Sequence, residues 1–316
     1  MKQTAFGKIN QLLKSGKIAI LTLFIVTCIS PVFGSKPTTY RSYGNYVFIY
    51  PKPDSILVDK LFETIRIPLQ HIERFFGNPP GSRLTIYVTK SDGDFRKYSR
   101  YAVPEWSQAV AFPNQRLIVL RLSSAEEIKE SPRILLHELV HIILAERIPD
   151  WRAPRWLNEG LAQYLSGERL DLQKKIALSN GLSAKKIVPL SAIDSVLSFS
   201  APMARLAYLE ALSAVEYFVN RHGEQTLSRL VRNYANNRSL NRAFKQSVGY
   251  DFIDFELDWF EDLHKKYRWL VVLNLDNLLW ISMGLLAILA IIVIRYRNRK
   301  KINSWDEEED ILNQGE

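Results

Sequence analysis

The sequence predicts an α+β domain carried on one C-terminal transmembrane helix. Three observations carry that prediction. Short strand-like apolar runs fall between 35 and 125. The stretch 131–268 follows helical periodicity. A final apolar segment is long enough to cross a bilayer. The expected order is therefore a mixed strand region first and a helical part second.

The strand region opens with Tyr46-Val47-Phe48-Ile49-Tyr50, which stops at Pro51. A helix is expected from Ser55 to Phe76, because Leu57, Leu61, Ile65, Leu69, Ile72 and Phe76 recur at helical spacing. Pro68 is expected to kink it. Gly77-Asn78-Pro79-Pro80-Gly81 is a turn cluster. Leu84 to Thr89 and Leu117 to Leu122 again read as strands, and Ser131-Pro132 reads as the start of the next helix.

The two ends are of a different kind. Residues 1–34 join a lysine-bearing start, a short apolar run from Ile18 to Ile29 and a small residue at Gly34, the pattern of a signal peptide. Leu278 to Ile294 is uninterrupted and spans ~25 Å as a helix. Trp269 and Trp280 on one side and Tyr296 on the other suit the two interfaces, and Arg295 to Lys301 supplies a basic cluster that places this end in the cytoplasm. The division expected is signal peptide 1–34, extracytoplasmic domain 35–268, transmembrane helix 274–295 and cytoplasmic tail 296–316. The tail, with its acidic run from Asp306 to Asp310, reads as solvated and without fixed structure.

Composition narrows the function. The chain of 316 residues has a net charge of +9, most of it on the exposed domain, which suits an anionic membrane surface or acidic envelope polymers. It holds no basic-aromatic recognition motif, so no nucleic-acid partner is expected. The single cysteine, Cys28, lies in the leading apolar run; removal of that segment leaves no thiol for a disulfide or a metal.

The chemistry is carried by His137-Glu138-Leu139-Val140-His141. On a helix, two histidines four residues apart project from one face and can share a Zn²⁺. Glu138, offset by one residue, can reach a water at that ion without binding the ion itself. A catalytic zinc also needs a third protein ligand and an open position. Glu159 follows His141 by 18 positions, room for a turn and a return helix beginning near Pro154.

HELVH followed by PRWLNEGLAQYL resembles the gluzincin metallopeptidases, in particular their peptidase MA-like family. The resemblance is sharp over 137–164 and looser over about 45–225. It implies a zincin-like fold and zinc-dependent hydrolysis of peptide or protein substrates. It also implies His137, His141 and Glu159 as ligands and Glu138 as general base, with Asn158 and Gly160 flanking the third ligand. Tyr208, in YLEALSAVEYFVNRHG, stands where relatives place a tyrosine that stabilises the oxyanion; His222 is the rival donor. The segment from Pro104 to Pro113 resembles the family's edge strand, able to pair with an extended peptide.

Two departures qualify the match. No GxMEN-type motif is present to hold a free substrate amino terminus, so an endopeptidase is expected. Gln163 stands where thermolysin-like relatives carry an acidic partner for a zinc histidine. The rival readings are an inactive membrane-anchored scaffold on a peptidase fold, and a metal-dependent hydrolase of non-peptide envelope material.

Overall fold

A computed structural model describes residues 38–77, 81–99, 107–149, 153–273 and 275–313. The segment read as a signal peptide, and Pro104 to Trp106 of the strand region, lie outside the described residues.

The N-terminal half is a five-stranded mixed sheet: β1 (Thr38–Tyr43), β2 (Tyr46–Pro51), β3 (Leu84–Thr89), β4 (Ala109–Phe112) and β5 (Leu117–Arg121), ordered β1-β2-β3-β5-β4. β2, β3 and β5 run parallel, while β1 and β4 close the two edges antiparallel. β1 has no counterpart in the sequence reading. Its residues are mostly exposed, so they lack the apolar alternation that marks the inner strands. It is held by a hairpin through Gly44, whose φ of +60° suits glycine.

Helix α1 (Ser55–Phe76) crosses from β2 to β3 and runs unbroken through Pro68. Tyr46, Phe48 and Tyr50 of β2 and Leu84, Ile86 and Val88 of β3 bury one sheet face in the main core with α1. The short helix α2 (Asp92–Tyr98) packs against β5 and buries Phe95.

Helix α3 (Ala125–Ala145) lies over the same core beside β4 and β5. It starts six residues earlier than Ser131-Pro132 suggested, a correction with a local cause. Ser124 caps it by accepting from the Glu127 N–H, with Glu126 and Glu127 in the first turn. Pro132 therefore sits inside the helix and offers no N–H to the carbonyl of Ile128. The Ser131 hydroxyl donates to that carbonyl instead, at 2.7 Å.

The helical half comprises α4 (Arg155–Leu165), α5 (Leu172–Ser183), α6 (Ala201–His222), α7 (Glu224–Asn237), α8 (Leu240–Val248) and α9 (Phe252–Tyr267). α4 lies between α3 and α6 and is buried along nearly its whole length. Its Trp156 ring stacks against Phe252 and Phe255 of α9 at centroid distances of 5.7 and 6.0 Å, which pins the helix to α9. A 3₁₀ segment, Arg268–Leu273, leads to α10 (Leu275–Asn313). Within α10, Leu278–Lys300 is long and apolar enough to cross a membrane, and its apolar window is not buried by the described residues. The helix continues to Asn313 through the segment expected to be unstructured; Arg, Lys, Glu, Ile and Leu dominate it, and the next glycine is Gly315.

Candidate metal centre and active site

Helix geometry places His137 and His141 one turn apart on the face of α3 turned toward α4. Their Nε2 atoms are 3.1 Å apart. Glu159, arriving on α4, sets its Oε2 3.8 Å from His137 Nε2 and 3.7 Å from His141 Nε2. Metal–ligand bonds of about 2.0–2.1 Å in a tetrahedron put ligand atoms about 3.3 Å apart. The three observed separations bracket that spacing, so the donor set fits one divalent ion with shifts of a few tenths of an ångström.

Neighbouring groups aim these donors. His141 Nδ1 lies 2.8 Å from Asn158 Oδ1. An amide oxygen only accepts, so Nδ1 carries the proton and Nε2 keeps its lone pair for a metal. Burial pushes the His137 imidazole well below its ordinary pKa, with His141 and Arg133 adding to the effect. It is therefore neutral, as a ligand must be.

Glu159 is buried and needs partners. Arg155 Nη1 donates to its Oε1 at 3.2 Å, which leaves Oε2 facing the histidines. Arg155 is itself fixed at the head of α4. Pro154 has no side-chain oxygen to cap the helix, and Asp194 Oδ1 accepts from the Arg155 backbone N–H at 2.7 Å. The sequence reading missed both residues. The i,i+4 spacing of Arg155 and Glu159 was the available signal; Asp194 is 39 residues away from the amide it caps and gave none.

Gln163 does not meet a histidine among its hydrogen bonds. Its amide donates to the carbonyls of Glu159 at 3.2 Å and Tyr208 at 3.0 Å, which ties α4 to α6. Gly160 faces α6 so closely that a Cβ there would stand 2.5 Å from the Ala211 carbonyl oxygen. Glycine is the residue that permits this approach.

Glu138 turns toward β4. The Ala111 N–H donates to its carboxylate, and burial together with Glu159 pushes its pKa up while His141 and that N–H pull it down. β4 pairs with β5 from Ala109 opposite Leu120 to Phe112 opposite Leu117, and just before it the Gln108 carbonyl accepts from the Arg121 N–H at 2.8 Å. By alternation, the backbone of Ala109 and Ala111 turns to the outer edge, toward α3.

These groups share one cleft of about 670 Å³ between β4, α3, α4 and α6. His137, Glu138, His141, Glu159 and Gln163 line it, together with Tyr208 from α6. Burial and the nearby Glu159 push the Tyr208 phenol up, with Arg155 opposing, so it keeps its proton and can donate. His222 is elsewhere: it ends α6 and its Nε2 lies 2.7 Å from the Tyr250 hydroxyl.

Two imidazoles and one carboxylate converging beside an open cleft, with a non-ligating glutamate next to them, define a metallopeptidase type of centre. Residues 68–265 match the peptidase MA superfamily, and the chain belongs to that superfamily. Comparison with curated proteins gives no match. Among solved structures, the chain is similar to an M1 zinc metallopeptidase from Deinococcus radiodurans, a variant bound to a Tyr-Ser-Ala substrate. The identity is 18%, covering 72% of this chain and 51% of that one, with a TM-score of 0.45. A second structure of an M1 zinc metallopeptidase from the same organism gives 17% identity, 71% and 50% coverage and a TM-score of 0.43. Yeast LTA4 hydrolase in complex with bestatin gives 13%, 74%, 37% and 0.40. The chain spans about half the length of the Deinococcus proteins it matches.

Proposed function

We propose that this chain is a zinc-dependent endopeptidase anchored in the plasma membrane by α10, with its catalytic domain outside and its C-terminal tail in the cytoplasm. The observation that carries the reading is the convergence of His137, His141 and Glu159 from two helices beside Glu138, in a cleft bordered by an edge strand. Those three residues would hold the zinc, with Asn158 orienting His141 and Arg155 holding the far oxygen of Glu159.

A zinc held there would supply a water with its pKa lowered to about 7 and a Lewis acid for the scissile carbonyl. Glu138 takes the attacking water's proton and later delivers it to the leaving amine. The Tyr208 phenol donates to the carbonyl oxygen as charge builds there, a contribution of about 3 kcal/mol for one well-placed donor. The outer edge of β4 offers backbone groups to an extended substrate. β4 reads Ala109-Val110-Ala111-Phe112 and carries no carboxylate to hold a free amino terminus, which favours cleavage within chains.

The basic cluster from Arg295 to Lys301 follows the apolar span and supports a cytoplasmic tail. The leading segment 1–34 supplies export in this reading. Metal analysis and digestion of a peptide library test it, comparing the native chain with Glu138→Gln. The variant is expected to keep zinc and lose nearly all cleavage; full turnover by Glu138→Gln would refute the assignment of the base.

A further inference from the structure

We propose that α9 and the segment Arg268–Leu273 lie along the membrane surface, seating the catalytic domain on the bilayer from which α10 emerges; this rests on reading α10 as a transmembrane span. Outside α10, most exposed large apolar side chains among the described residues gather in one place. Ile253, Leu257 and Phe260 are on α9, Trp269 and Val272 follow it, and Leu172 begins α5, which packs against that following segment. Each is between 40% and 64% exposed.

The three α9 residues stand at i, i+4 and i+7, so they share one narrow stripe. The helix already buries Phe255, Trp259 and Leu263 in the domain. α9 is thus apolar on two faces, and its own domain covers one of them. The stripe runs along the helix for about 10 Å, so a surface covering it must lie parallel to the helix axis.

Chain continuity identifies that surface. Tyr267 ends α9, and the intervening 3₁₀ segment is only about 12 Å long before α10 begins. The stripe is therefore held within a short distance of the point where the apolar span starts. Trp269 in that segment is a residue suited to the headgroup level. The attraction is apolar rather than electrostatic. Near the stripe, Lys265 is paired with Glu261, Lys266 with Asp262 and Arg221 with Asp258, and Asp254 offsets the exposed Arg268. A zwitterionic bilayer suffices, and added salt does not release the contact. Docking of this kind fixes the height and tilt of the cleft above the membrane.

The test uses the full chain with Cys28→Ser, reconstituted in phosphatidylcholine nanodiscs containing lipids with a spin label near the headgroup. A fluorophore is attached in turn at Leu257→Cys, at Ile67→Cys on the exposed side of α1, and at Leu286→Cys within α10. The Leu257 label is expected to be quenched several-fold more than the Ile67 label, equally at low and high salt. A Leu257 label no more quenched than the Ile67 label, with the Leu286 label still quenched by deep-labelled lipid, overturns the docking and leaves the span standing. That result includes the case in which another part of the chain covers the stripe. A Leu286 label untouched by any lipid quencher overturns the span, and the docking with it.

Discussion

Replacing Gly160 by alanine tests how Glu159, the proposed third ligand, is positioned. The new methyl would stand 2.5 Å from the Ala211 carbonyl oxygen, 2.7 Å from Val215 Cγ2 and 3.0 Å from the Ala211 carbonyl carbon. Ordinary carbon–oxygen contact is about 3.3–3.5 Å. Relief therefore needs a separation of α4 from α6 by roughly 0.8–1 Å, because the nearest obstructing atom, the Ala211 carbonyl oxygen, belongs to the backbone. Overpacking of this size costs about 1–3 kcal/mol, which lowers Tm by roughly 2–12 °C in a domain of this size. Glu159 adjoins Gly160 and moves with α4, and so do the bonds from Gln163 to the Glu159 and Tyr208 carbonyls. A displacement of that order at one ligand is expected to weaken zinc binding about 10–100-fold. Chelator competition measures the affinity, and thermal unfolding of the metal-free chain measures the stability. Gly93→Ala is the control, since its Cβ would meet only Ser91 Oγ at 3.6 Å. If Gly160→Ala kept both native stability and native zinc affinity, the spacing of α4 and α6 would not be what sets Glu159.

Three further outcomes are expected. Arg155→Leu frees Oε1 of Glu159 and should reduce zinc affinity about 10-fold, with partial recovery in Arg155→Lys; an unchanged affinity would show that the ion pair does not orient the carboxylate. Asn158→Ala removes the acceptor at His141 Nδ1 and should cost about 10–100-fold in zinc affinity by the same competition assay, with the fold retained by circular dichroism. Glu210 is fully buried, accepts one N–H from Val188, and burial pushes its carboxyl up to about 8. Its folded pKa lies above the unfolded value. The stability it allows is thus fully present below about pH 4.5 and is lost as pH rises to about 8, by up to about 5 kcal/mol. Glu210→Gln should flatten that fall in a Tm series across the window; an unaltered slope would place the titration elsewhere.

Much of the site was legible because its parts are local. His137, Glu138 and His141 are fixed relative to one another by helical spacing alone. The α4 helix was readable from Pro154 and the run after it, and the inner strands from their apolar alternation. The features that escaped the sequence are those in which a local rule met a distant partner. Pro132 reads as a helix start until Ser124 is seen to cap the helix earlier and Ser131 to satisfy the Ile128 carbonyl. The tie from the Gln163 amide to the Tyr208 carbonyl, 45 residues away, gave no sign in the sequence. β1 is invisible because an exposed edge strand needs no apolar pattern.

The sequence alone therefore determined the chemical inventory: which side chains can bind a metal, which glutamate stands beside that pair of histidines, and which terminal segment is apolar enough to enter a bilayer. Each of these depends on residue type and on spacing within a single element. Tertiary structure decided where Glu159 points, that Tyr208 enters the same cleft while His222 does not, and that Asp194 and Arg155 hold the head of α4. Those placements depend on how closely helices pack, as at Gly160 and Ala211. A contact between residues dozens of positions apart leaves no periodic trace in the chain.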